Sequence, residues 1–281
     1  MLKERVIYGT LGFAAAVAVI LQGSIALSIA IFALVVMSLF EMYKSTGLLK
    51  KYKELTAMGF IFACAAMIFL LNAAVKGEIN YRVFSQGILQ ATLAFGFVLM
   101  LFMIFMHEKV HFSTVSMLFL ETVYITVTFA HIILISGEDN GKFTVWLVFF
   151  GAWGADTFAY FAGKIFGRHK LIEKVSPKKT VEGALGGIFG DIIVYAVYGI
   201  ILSKNHIGVN YINLVVSGAL AAAVSQIGDL IMSCIKRENH IKDYGDIIPG
   251  HGGILDRFDS VLTVAPLIFY LNIYLPSVFI K

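Results

Sequence analysis

The stretch "RVIYGTLGFAAAVAVILQGSIALSIAIFALVVMSLFE", Arg5 to Glu41, carries no charge between its first and last residues. With "MLKE" before it, the start looks like that of a secretory leader. The apolar run then continues to about residue 40, far past the roughly 7–15 residues of a leader's apolar core. It is also nearly twice the ~20 residues that one bilayer crossing needs. A short break at Gln22, Gly23 and Ser24 divides it. The run therefore reads as an uncleaved helical hairpin with that break at its tip.

The rest of the chain agrees. It has 281 residues, 59% hydrophobic and 14% charged, with a mean hydropathy of +0.84. A soluble domain carries about 25% charged residues. This chain has too little polar surface to cover itself in water, and the composition excludes a soluble globular protein. An all-α polytopic integral membrane protein is expected. Nine spans are predicted, at 6–22, 24–42, 55–75, 86–106, 113–136, 143–166, 183–203, 211–235 and 259–279. With the N-terminus placed inside, 17 of the 22 Lys and Arg residues fall in inside segments and five in outside ones. That asymmetry predicts a cytoplasmic N-terminus and an outside C-terminus. No internal repeat or low-complexity linker is visible, so one membrane domain is expected. Its spans at 1–142 precede a functional region at 143–281, with cytoplasmic loops 167–182 and 236–258. Cys64 and Cys234 stand far apart among apolar residues and suggest neither a disulfide framework nor a metal site. The net charge of +4 is modest, and no nucleic-acid partner is expected.

Polar residues inside spans are the first functional signal. Asp156 is followed at helical spacing by Tyr160 and Lys164. Ser225 or Gln226, then Asp229, Ser233 and Lys236 or Arg237, form a second stripe on one helical face. A charge at the bilayer centre costs about 2.5–3.5 kcal/mol even on a lenient scale, so the stripe must face the bundle interior or a wet cavity. Glu121 and Asp191 are isolated, and each reads either as a helix–helix hydrogen bond or as a functional carboxylate. The glycines of "EGALGGIFG", Gly183 with Gly187 and Gly186 with Gly190, have small-xxx-small spacing and suggest close helix packing.

Two loops carry the remaining chemistry. "SPKKT" offers Lys178 and Lys179 between the hydroxyls of Ser176 and Thr180, and also reads as a positive-inside topology signal. "KDYGDIIPGHGGILDRFD", Lys242 to Asp259, mixes four aspartates with Lys242 and Arg257, just after Lys236 and Arg237. Carboxylates beside basic residues suit a metal-bound polyphosphate: carboxylates hold Mg²⁺, Mg²⁺ bridges phosphate oxygens, and Lys and Arg neutralise the rest. Gly250, Gly252 and Gly253 permit close backbone approach to a phosphate. His251 reads either as a phosphate donor or proton shuttle, or as a loop-ordering residue. Motifs such as Gly-Lys-Ser/Thr and G-x-S-x-G are absent from the sequence.

"SCIKRENHIKDYGDIIPGHGGILDRFD" resembles the signature of the phosphatidate cytidylyltransferases (CDP-diacylglycerol synthases). The pattern Ser-x-x-Lys-Arg, Lys-Asp, Pro-Gly-His-Gly-Gly-x-x-Asp-Arg-x-Asp is filled from Ser233 to Asp259, including Pro249. "DTFAYFAGKIFGRHKL" and "SPKKTVEGALGG" match the family's middle region, so the detailed resemblance covers roughly residues 150–262. It implies transfer of CMP from CTP to phosphatidate, with release of pyrophosphate, in phospholipid biosynthesis. It implies a divalent metal, Mg²⁺, held by Asp229 and Asp256, and leaves room for a second cation. Asp229, Asp256, Lys236, Arg237 and His251 are the expected catalytic group. Ser176, Lys178, Lys179, Thr180, Asp156, Lys242, Asp243, Gly252, Gly253, Arg257 and Asp259 are the expected substrate-binding group. A homodimer is expected from the family. The bacterial-type inner membrane, with the site facing the cytoplasm, is the expected location. Two alternatives stay open: a CTP-dependent enzyme acting on an isoprenoid-ether phosphatidate or a polyprenol, and an ion-coupled transporter using Asp156 and Asp229.

Overall fold

The structure, a computed structural model, describes residues 2–248 and 252–279. It is 79% helical. Contacts divide the chain into two compact units, Met1–Gly137 with Asp243–Arg257, and Glu138–Lys242 with Phe258–Lys281.

In the first unit, α1 (Leu2–Gln22) and α2 (Ser24–Ser45) form the expected hairpin. The chain reverses at Gly23, whose φ of 96° lies where a side chain is strained. A single turn, α3 (Leu48–Lys51), leads to α4 (Lys53–Lys76), α5 (Tyr81–Phe105) and α6 (Phe112–Ser136). Helix α4 ends at Gly77 in the left-handed region, where Glu78 N–H bonds back to the Ala73 carbonyl at 2.9 Å. Helix α5 starts on Asn80, whose side chain accepts from the N–H groups of Arg82 and Val83. Helices α2, α4 and α6 pack on one another around Val35, Leu39, Met67, Leu70, Leu118 and Ile125, all buried. Tyr43 and Thr122 hydrogen-bond inside this packing at 2.5 Å, and Gly59 is what lets α4 come against them.

In the second unit, α7 (Gly141–Phe149) passes through a π-helical turn (Phe150–Gly154) into α8 (Ala155–Phe166). Strands β1 (Lys170–Ile172) and β2 (Ser176–Thr180) pair antiparallel. They lead to α9 (Val181–Lys204), β3 (Gly208–Val209) and α10 (Tyr211–Glu238), and the chain closes with α11 (Leu255–Tyr274) and β4 (Val278–Phe279). Strands β3 and β4 pair antiparallel.

Helix α9 lies against both α8 and α10. The α8–α9 seam depends on its glycines. A Cβ on Gly183 would meet the Ala159 carbonyl oxygen at 2.8 Å and the Gly163 Cα at 3.1 Å. One on Gly187 would meet the Ala155 carbonyl oxygen at 2.9 Å. The close packing expected from the small-xxx-small spacing is present, and its partner is α8 of the same chain.

Seven helices among the described residues are long and apolar enough to cross a membrane, with α7, the π turn and α8 counted as one. They match the seven expected spans from 24–42 to 211–235. The two other expected spans are not among these seven: 6–22 falls on α1, and 259–279 begins on α11 but outruns it, because that helix ends at Tyr274 and β4 follows. Two loop boundaries differ from expectation. The 167–182 segment contains the β1–β2 ribbon, and the 236–258 segment begins and ends in helix. Lys236 and Arg237 lie in the last turn of α10, while Asp256, Arg257 and Asp259 lie in the first turns of α11.

Candidate active site

In the second unit, α8, α9, α10 and the ribbon line a half-open cavity of about 350 Å³. Helix α8 contributes Asp156, Tyr160 and Lys164, which its 3.6-residue period stacks on one side. The ribbon contributes Lys178, Lys179 and Thr180, and α10 contributes Gln226 and Asp229. The π turn ends just before Asp156. Such an extra residue in a helix commonly marks a functional position, because it rotates the side chains that follow.

Asp229 is the centre of charge in this cavity. Its Oδ2 pairs with Lys179 Nζ at 2.5 Å, and its Oδ1 accepts from Ser233 Oγ at 3.2 Å. Ser233 is one helical turn on, so the expected stripe is present. About one turn before Asp229, Gln226 donates from Nε2 to the carbonyls of Ala184 and Ala222, both at 3.1 Å, which ties α10 to α9. Thr180 accepts the Gly183 N–H at 3.1 Å and so caps α9. Glu182 accepts from the Arg168 and His169 N–H groups and the His169 ring, which closes the far end of the ribbon. Arg237 donates to the Val175 and Ile241 carbonyls, at 3.3 and 3.2 Å, joining the ribbon to the end of α10.

Asp259 is buried and accepts the Ser260 N–H at 2.8 Å, while Ser260 Oγ donates to Asp156 at 3.4 Å. The charges of Asp229 and Asp156 act on Asp259, and buried Lys236 opposes them. The second unit thus brings together Asp156, Asp229, Asp259, Lys179 and Lys236. Lys178 lines the cavity with its side chain exposed, Ser176 is half-buried at the start of β2, and Lys242 is exposed.

In the first unit, Asp256 is buried, and its Oδ2 accepts from Tyr244 N–H at 2.8 Å and Gly253 N–H at 3.0 Å. Ile248 and Gly252 form an isolated antiparallel bridge that folds the loop back. Gly252 has φ of 85°, and a Cβ there would lie 3.1 Å from Asp256 Oδ2 and 3.4 Å from Asp243 Cβ. Asp243 and Arg257 are exposed. Pro249, Gly250 and His251 lie outside the described residues, and with them the expected catalytic histidine.

The two isolated carboxylates separate. Glu121 comes within 3.5 Å of Thr46 Oγ1, which is the helix–helix contact that one reading expected. Asp191 is fully buried against Gly154, and neither of its oxygens has a hydrogen-bond partner among the described residues.

No three His, Cys, Asp or Glu side chains among the described residues form a ready-made metal cage. The donor chemistry nevertheless fits Mg²⁺, which takes one or two carboxylates and completes its shell with substrate phosphates and water. Asp229 already faces one cation, the Lys179 ammonium. Tyr160, Lys164 and Gln226 stand on the stripes visible in the sequence, yet only the cavity makes them wall residues. Glu41, on α2, carried no signal in the sequence.

Acidic and basic side chains gathered in one cavity of an apolar helical bundle have the chemistry of a site for metal-bound phosphate at a membrane. The profile of the cytidylyltransferase family matches residues 3–275, and the chain belongs to that family of nucleotidyltransferases. It is 32% identical over 276 residues to the phosphatidate cytidylyltransferase of Bacillus subtilis (strain 168), covering 96% of this chain and 97% of the Bacillus protein. The proteins of the same name from Rickettsia prowazekii (strain Madrid E) and Staphylococcus saprophyticus are 36% and 29% identical, over 167 and 267 residues. The first match covers 58% of this chain and 73% of the Rickettsia protein, and the second covers 95% and 97%. The family resemblance read from Ser233 to Asp259 is borne out.

Proposed function

We propose that this protein transfers CMP from CTP to phosphatidate, giving CDP-diacylglycerol and pyrophosphate. The observation that carries the reading is the cavity in which Lys164, Lys178 and Lys179 stand with Asp156 and Asp229. Both substrates are anionic and repel each other until basic residues neutralise them. The lipid phosphate attacks the α-phosphorus of CTP, a new P–O bond forms, and the bond to the pyrophosphate bridging oxygen breaks. A phosphate monoester has a second pKa of about 6, so the nucleophile is already ionised and no general base is assigned. Lys178, Lys179, Lys236, Arg237 and Arg257 hold phosphate oxygens. A divalent metal held by Asp229 and Asp256 supplies Lewis-acid polarisation of the α-phosphate when bound. Asp156, Lys242, Asp243, His251 and Asp259 belong to the site without separate roles.

The test is pyrophosphate release from CTP by purified protein in detergent, with acceptors compared. Phosphatidate should support turnover. Preference for an isoprenoid-ether phosphatidate or a polyprenol would move the enzyme to another lipid.

The reading also needs the site to face the cytoplasm of a bacterial-type inner membrane, with nine spans, the N-terminus inside and the C-terminus outside. The distribution of Lys and Arg supports this orientation. In a background lacking Cys64 and Cys234, a cysteine at the exposed Glu173 should be shielded from an impermeant thiol reagent in intact cells. One at the exposed Asn205 should label. The reverse pattern would sink the orientation. A homodimer is proposed on family grounds alone, because the glycine faces are taken up by α8.

A further inference from the structure

The loop that leads into Asp256, at the start of α11, is anchored by a residue outside the signature. Glu41, near the end of α2, is 1% exposed. Its Oε1 accepts the N–H of Ile254 at 2.9 Å, and its Oε2 accepts the N–H of Leu255 at 2.8 Å. Leu255 is the first residue of α11. The first N–H groups of a helix have no partner inside it and carry its partial positive charge. Glu41 therefore caps α11 from 214 residues away in the chain.

The neighbouring N–H of Gly253 goes to Asp256 Oδ2, as does that of Tyr244. Two carboxylates thus share three consecutive backbone donors, and moving one moves the backbone that holds the other. Glycine is built into the contact on both sides. A Cβ on Gly245 would lie 2.6 Å from Glu41 Oε1, and one on Gly253 would lie 2.6 Å from both Glu41 oxygens. Lys44, one turn on, offsets the repulsion between Glu41 and Asp256. A buried carboxylate is costly unless its hydrogen bonds are made, and here they are made only while the loop keeps this shape.

We infer that Glu41 is a positioning residue for Asp256. It holds the first turn of α11, and with it the orientation of the Asp256 carboxylate. The amino-terminal bundle thereby takes part in the reaction rather than serving only as an anchor. The inference rests on the reading that Asp256 serves nucleotidyl transfer.

The test uses the full chain in detergent with Glu41→Gln and Gly245→Ala. The amide keeps the shape of Glu41 but turns an NH₂ toward one of the two donors. The methyl added at Gly245 keeps the charge but displaces the carboxylate. Each variant should lower kcat about tenfold or more, the scale of a lost hydrogen bond to a charged group. Each should raise the Mg²⁺ concentration for half-maximal activity, and amide exchange at Tyr244 and Gly253 should quicken. Adding Glu41→Gln to Asp256→Asn should cost little more than Asp256→Asn alone. Unchanged exchange at those two amides overturns the anchor whatever the turnover. Faster exchange with wild-type kcat and Mg²⁺ dependence overturns the positioning role, as does a lower melting temperature alone. Where Glu41→Gln does not accumulate, Gly245→Ala decides by the same criteria. A wild type inactive on CTP and phosphatidate, with exchange that still quickens in the variants, counts against the functional reading and leaves the anchor standing.

Discussion

Asp229→Asn and Asp256→Asn are each expected to lower turnover at least about 100-fold, because a Lewis-acid metal contributes several kcal/mol to such a transition state. Each substitution keeps the shape of the side chain. The amide oxygen that replaces the Asp229 carboxylate could still accept from Ser233. The one that replaces the Asp256 carboxylate could still accept from the N–H groups of Tyr244 and Gly253, so the local fold should survive. What is lost is the negative charge. The double variant should be little worse than either single one, since residues that act as a unit are not additive. EDTA should silence the wild type, and Mg²⁺ should restore it. Near-normal turnover of either variant at saturating Mg²⁺ and CTP would remove that residue from the metal site. Multiplicative losses would assign the two carboxylates separate jobs. Turnover per folded molecule, measured across Mg²⁺ concentrations, decides among these outcomes.

Changing both Lys178 and Lys179 to Gln is the second large effect. Lys178 is exposed beside the cavity, and Lys179 sits on Asp229 at 2.5 Å. Charge-assisted bonds to phosphate are worth about 1.5–3 kcal/mol, or about 10- to 100-fold each. kcat/KM should therefore fall by at least about tenfold, with elution and thermal unfolding unchanged. If the pair acts only as a topology signal, correctly inserted enzyme should keep wild-type kinetics.

Much of this was legible in the sequence, for identifiable reasons. The spans could be read because lipid demands long apolar helices, and their ends fall within a few residues of Lys, Asn and Gly boundaries such as Lys76–Gly77 and Asn210. Asp156, Tyr160 and Lys164 could be placed together, and so could Asp229 and Ser233, because helical spacing alone brings them to one side. The ribbon at 170–180 could not be read. "SPKKT" has a proline and two lysines, poor strand formers, and it pairs only because the chain reverses and α9 is capped by Thr180 beside it. Nor did the π turn at Phe150–Gly154 have a compositional mark beyond its glycines. Glu41 was hidden most completely. A carboxylate three residues before Lys44, at the end of an apolar run, looks like the place where a helix leaves the membrane. Its partners, Ile254 and Leu255, are 213 and 214 residues on, and no periodicity connects them.

This membrane protein moves CMP from CTP onto the phosphate of phosphatidate. The most direct test follows the label from CTP marked on the α- or the γ-phosphorus, using purified protein, Mg²⁺ and phosphatidate in detergent. α-Label should enter the organic-soluble lipid and γ-label should appear in pyrophosphate, one for one, and neither should move without phosphatidate. Entry of γ-label into lipid, or turnover indifferent to phosphatidate, would contradict it.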